Sequence, residues 1–171
     1  MSTTTIDDEL QEVRTRIERL RALEETGVAT ERARIRRHLD ILRRYEDAIG
    51  ADSDGDPDDR IAQLRARVSV AEHAVAADLT RDWHEFTAAV DDELRSWDTF
   101  LERLQMSAAT RAWKARAQAE AAIGQVRSTR ISAEGWLALA RHDASPEARE
   151  QIEAARDRLE QRADELSARI G

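Results

Sequence analysis

The sequence predicts an all-α protein, a single helical domain over residues 1–171. Its long amphipathic helices are expected to form an antiparallel helical hairpin or bundle with coiled-coil-like packing. Three observations lead there. Hydrophobic residues are 41% and charged residues 36% of the 171, while aromatics are 4%, a balance that suits amphipathic helices and is poor for β-sheet. Apolar residues recur at steps of three and four along most of the chain. The two prolines, Pro57 and Pro146, each follow a residue able to cap a helix and precede an acid, and no proline falls between 58 and 145.

The first helical region covers about 5–49. Ile6, Leu10, Val13, Ile17 and Leu20 make one stripe, with Thr4 or Thr5 as N-cap and Asp7, Asp8 and Glu9 at the positive end of the helix dipole. Gly27 either ends this helix, with Thr30 capping the next, or is a weak point inside one long helix. The stripe resumes as Ile35, Leu39, Leu42, Tyr45 and Ile49, and Gly50 supplies a stop. Residues 50–57 read as an acidic hinge. The stretch "DSDGDPDD" at 52–59 fails as a calcium loop: counted from Asp52, position 6 is Pro57 and position 12 is Gln63, where glycine and glutamate are needed. It fits a helix start, with Asp56 capping and Pro57, Asp58 and Asp59 in the first turn.

The second region spans about 58–131. Ile61, Leu64, Val68, Ala71 and Val75 keep heptad spacing; Leu79 and Trp83 then each arrive four residues on, a stutter in coiled-coil terms. Trp83, Val90, Trp97 and Leu104 follow at steps of seven, and this aromatic group, with Phe86 and Phe100, is expected in the core. Beyond 104 the stripe continues in alanines, whose small side chains let helices approach closely. One helix is permitted, and so is a break near 105–110 or at 124. Residues 132–145 look less regular, and a last helix over 146–170 opens on "SPEAR" with Ser145 as cap. An unbroken second region gives a long, thin hairpin; a break near 105 gives a compact bundle.

Composition excludes several kinds of chemistry. Without cysteine there is no disulfide, thiolate metal site or thiol nucleophile. The N-terminus lacks a signal-peptide pattern and no stretch nears 18 apolar residues, so the expected location is the cytoplasm. Net charge is −8, yet residues 28–49 carry six arginines against four acids, and 106–131 five basic residues against one acid. An acidic whole makes nucleic acid an unfavourable partner. None of His38, His73, His84 and His142 has a metal-ligating neighbour three or four residues away, so no metal and no cofactor are expected. No phosphate-binding glycine loop occurs. The acid runs at 7–9 and 91–93 point about 100° apart residue by residue and read as solvated faces.

What remains suggests binding rather than catalysis. In "ERARIRRHLDILRR", Arg32, Arg36 and Arg43 share one side of a helix and Arg37 and Arg44 another. Trp113 and Lys114 stand in the alanine-rich basic stretch. These seven form the candidate interaction surface. The expected function is a non-enzymatic helical scaffold or adaptor acting through protein partners and self-associating into a homo-oligomer. The alternative is peripheral attachment to a lipid or granule surface, such as a membrane, through the basic helix.

Overall fold

The computed structural model describes residues 3–51 and 55–170. Among them are six α-helices and no strand: α1 (Thr3–Thr26), α2 (Ala29–Gly50), α3 (Pro57–Leu79), α4 (Trp83–Ala109), α5 (Trp113–Ala140) and α6 (Pro146–Ile170). Consecutive helices reverse direction. Side-chain pairs mark the register: Arg14–Glu46 (2.7 Å) and Arg36–Glu24 (2.8 Å) join α1 to α2, and His73 Nδ1 lies 2.8 Å from Ser96 Oγ between α3 and α4. Arg130–Asp98 (2.8 Å) joins α5 to α4. α1 and α3 run parallel, tied by Arg16–Glu72 (2.6 Å) and Arg65–Glu9 (3.1 Å).

The helix ends have local causes. Asp56 accepts from the Asp58 N–H at 3.1 Å with Pro57 beside it, and Ser145 Oγ accepts from the Ala148 N–H at 3.1 Å ahead of Glu147. Both proline-marked starts therefore form as their residue types dictate. Asp52, Ser53 and Asp54, the first part of the aspartate stretch, lie outside the described residues. Gly27 does separate two helices, but the cap role considered for Thr30 falls to Glu31, whose carboxylate accepts from the Val28 N–H at 3.1 Å. Thr4 and Thr5 sit inside α1 rather than before it.

The second region differs most from expectation. The stutter at Leu79–Trp83 is a chain reversal. Thr80 is extended, the Asp82 carboxylate accepts from the Glu85 N–H at 2.9 Å, and the Glu85 carboxylate accepts from Thr80 Oγ1 at 3.0 Å. The Asp82 N-cap thus starts a new helix where heptad spacing shows only one surplus residue. A second reversal at 110–112 follows Thr110, whose hydroxyl returns to the Ser107 carbonyl at 2.8 Å. No break occurs at Gly124, and residues 132–140, expected to be less regular, complete α5.

These reversals produce a compact bundle in place of a long hairpin, organised around α3. Leu64, Val68, Ala71 and Val75 face one core with Val13, Ile17 and Leu20 of α1 and Ile35 and Leu42 of α2. Ala66, Val70 and Ala77 face another, filled by α4, α5 and α6. Phe86, Trp97 and Phe100 are buried there as expected, while Trp83 packs against this core only partly buried. α3 is therefore apolar around most of its circumference, as a helix shared by two cores must be. Each fully buried valine or leucine contributes roughly 1.5–3 kcal/mol.

Because both cores share α3, they should unfold together. All four tryptophans lie in α4 and α5, so their fluorescence reports the half distant from α1 and α2. We expect Leu64→Ala, in the α1–α2–α3 core, to cost about 2–5 kcal/mol. In urea its tryptophan fluorescence and far-UV circular dichroism should shift together in one transition; separated midpoints would show two independent units.

Candidate interaction surface

Where α2, α3, α4 and α6 meet, charged side chains occupy the interior. Arg156 is at the centre: Nε donates to Glu93 (2.6 Å), one terminal nitrogen to Asp78 (2.9 Å) and the other to the Ala74 carbonyl (2.9 Å). Asp78 also receives Arg34 at 2.9 Å. One helical turn along α6, Glu160 lies 3.0 Å from His38 Nδ1, 3.1 Å from Arg37 and 3.9 Å from Arg67. The Arg67 guanidinium stacks over Trp97, 4.6 Å from the ring centroid. Burial opposes the Arg156 charge, but Glu93 and Asp78 outweigh it and raise its pKa. Burial, reinforced by Arg67, lowers the His38 pKa to about 3, so this imidazole is neutral, while burial raises Glu160.

This cluster corrects one expectation. Glu93, read as part of a solvated acid run, is 1% exposed, because its position beside Leu94 and Trp97 places it on α4's inner side. His38 is buried as well, with its Nδ1 against Glu160. The signal available was that Arg156 and Glu160 interrupt the inward stripe of Ile152, Leu159 and Ala163 at helical spacing. A neutral histidine beside a carboxylate can hold a proton, but the void among these groups is about 10 Å³, room for one water and no substrate. Its chemistry is cross-bracing. Among the described residues no group of three or more His, Asp or Glu side chains is placed to hold a metal ion.

The structure does not gather the seven sequence-predicted surface residues. On α2, Ile35, His38, Ile41 and Leu42 face inward. Arg32 donates to the Gly27 carbonyl (2.6 Å), Arg36 pairs with Glu24, and Arg37 reaches Asp157 (3.4 Å) as well as Glu160. Arg43 and Arg44 are exposed and make no ion pair with a described residue. Three of the five arginines are thus engaged within the fold. Trp113 and Lys114 open α5, which does not pack against α2, so the two groups are separate.

α5 carries a second feature, beyond Trp113 and Lys114. Its inner side, including Ala119, Ile123, Val126, Ala133 and Leu137, is buried. On the opposite side, Ala121, Gly124, Ser128, Ile131, Gly135 and Leu139 form a second stripe, and all are exposed. Trp113 and Ala117 extend it toward the helix start. Trp113 is 83%, Leu139 64% and Ile131 63% exposed, and Trp136, on the flank, 38%. From Ala117 to Leu139 this outward row has no ionised residue, in a chain that is 36% charged. The charges stand along one edge: Arg116 pairs with Glu120 (2.8 Å), Arg130 with Glu134, and Arg127 donates to Gln105 at 2.6 Å. Along the other edge runs a groove of about 450 Å³ lined by alanines and glutamines, with Arg111 at its end. No helix among the described residues is long and apolar enough to cross a membrane.

Removing one member of the buried cluster strands its partners. Arg156→Met should cost about 3–5 kcal/mol in urea denaturation, and adding Glu93→Gln and Asp78→Asn should recover part of that loss. His38 sets a pH dependence. With its folded pKa below the unfolded value of about 6.5, protons bind the unfolded chain preferentially, so stability falls as pH drops from about 6.5 toward 3. The carboxyls of Glu160 and Glu93, both raised by burial, work in the opposite sense. Between pH 7 and pH 5 the native protein should lose about 2 kcal/mol more than His38→Gln; equal losses would mean that His38 is protonated in the fold. Comparison with protein-family models, curated proteins and solved structures finds no match to this chain.

Proposed function

We propose that this protein is a non-enzymatic helical scaffold or adaptor acting by protein–protein contact, with the outward face of α5 as its contact surface. The observation that carries this reading is the uncharged row from Ala117 to Leu139 on a helix whose opposite side is already buried. Solvated helix faces in an acidic, arginine-rich chain carry charges, as the outward sides of α1, α2 and α6 do. A long exposed face without them, bearing two tryptophans near its ends, has the charge depletion and aromatic enrichment of an interface core. Gly124 and Gly135 add that a partner's backbone can come close, since a Cβ at either would meet nothing within 4 Å.

Attachment to a lipid or granule surface draws no comparable support. The apolar side of α2 is turned into the core, and the helix would have to leave it to meet a membrane. Beside the α5 face, Arg116 and Arg130 are already paired with glutamates, which leaves Arg127 and Lys114 as its cations toward an anionic surface.

A photo-reactive amino acid at Ser128 tests the reading, with the same group at exposed Arg158 on α6 as control. In extract of the source cells we expect protein adducts from position 128 in clear excess over 158. Equal or absent labelling would remove the α5 face as a contact surface.

A further inference from the structure

We infer that α5 pairs antiparallel with α5 of a second copy, about a two-fold axis level with Val126. The inference rests on the adaptor reading and names its partner. The outward row, counted from Trp113 to Leu139, advances by four, four, three, four, three, four and four residues, the same from either end. An isologous contact needs this symmetry, because each residue must find the partner's counterpart twice. The two-fold sets Trp113 opposite Leu139, Ala117 opposite Gly135, Ala121 opposite Ile131 and Gly124 opposite Ser128. Bulky Ile131 meets a methyl group, and the smallest residues lie nearest the axis, where the backbones approach most closely.

Charge favours the same arrangement. In the antiparallel pair, like edges of the two helices lie together. Arg116 then stands within about 3 Å along the axis of Glu134 in the second copy, and Glu120 equally near the second copy's Arg130. Counting Asp98, which also pairs with Arg130, this edge holds Arg116, Arg127 and Arg130 against Glu120, Glu134 and Asp98, so the two edges approach without net charge. A parallel pairing would instead set the all-basic start of α5, with Lys114 and Arg116, against itself. One like-charge contact remains in the antiparallel pair: Arg127 faces its own symmetry mate. A face one helix wide and about 40 Å long covers on the order of 1,000 Å² over both copies, near the lower limit for specific association, so monomer and dimer should exchange at micromolar concentration.

The chain has no cysteine, so single thiols can be introduced cleanly at Ala117 and Gly135, both exposed. Mixing Ala117→Cys with Gly135→Cys under mild oxidation should give a mixed disulfide dimer, and neither variant alone should link to itself. Two copies of position 117 would lie about 27 Å apart along the axis, beyond disulfide reach. Light scattering during size exclusion should show a concentration-dependent dimer. Arg127→Ala should strengthen it several-fold, and Glu134→Arg should weaken it by about tenfold. Self-linking of Ala117→Cys, or a monomer at every concentration without mixed disulfide, would overturn the inference. A monomer whose position 128 still labels another protein would overturn self-pairing and leave the adaptor reading standing; loss of both signals would overturn both.

Discussion

α3 has to be covered on more than one side. A helix carrying Leu64, Val68, Ala71 and Val75 toward one neighbour and Ala66, Val70 and Ala77 toward another cannot sit at the edge of a two-layer hairpin. The α1–α2 hairpin closes one side, and α4 to α6 close the other. The reversal at Thr80–Asp82 is what lets the chain return across α3, and that at 110–112 brings α5 and α6 back to seal the larger core. Tyr45 belongs to both cores, with its ring edge-on to Phe100 at 5.8 Å and its hydroxyl 2.5 Å from Ser167 Oγ.

The buried charges follow from the same geometry. α2 and α6 flank α3 without packing backbone to backbone, and the gap between them is spanned by long side chains: Arg37 and His38 reach Glu160, and Tyr45 reaches Ser167. An apolar filling of that gap would tolerate sliding of α6 by a turn. Arg156 tolerates none, since its three nitrogens meet acceptors on α3 and α4 at fixed positions. Buried ion pairs add little net stability over well-packed apolar groups, so their contribution here is to register, which the directional bonds of a guanidinium supply.

The helical class and most helix positions were legible in the sequence because they depend on local facts. Proline after a capping residue, a glycine between stripes and apolar spacing of three and four act over a few residues. The turn at 80–82 was harder: Asp82 caps α4 at the Glu85 N–H, but an unbroken apolar stripe runs across it, and only the packing of α4 onto α3 decides between bend and continuation. Glu93, Arg67 and Arg156 were hidden for a different reason. A charged residue on an inward stripe is buried or exposed according to the partner that another helix brings to it, and that partner is up to 93 residues away in the case of Arg67 and Glu160. The outward face of α5 was legible in principle. It is a second stripe opposite the first, and a search for one apolar stripe per helix counts its glycines and serines as ordinary surface.

The turns themselves carry one more consequence. Apart from α1 against α3, every pair of helices in backbone contact is consecutive in the chain, joined across the described residues by short connections. Most native contacts are therefore local, and chains of that kind lose little loop-closure entropy before contacts reward it, so they fold fast. The bonds from α2 to α6 are the opposite: Arg37–Asp157 and Tyr45–Ser167 close separations of 120 and 122 residues. The hairpin contacts therefore close the smallest loops in the fold, and the polar bridge between α2 and α6 closes the largest.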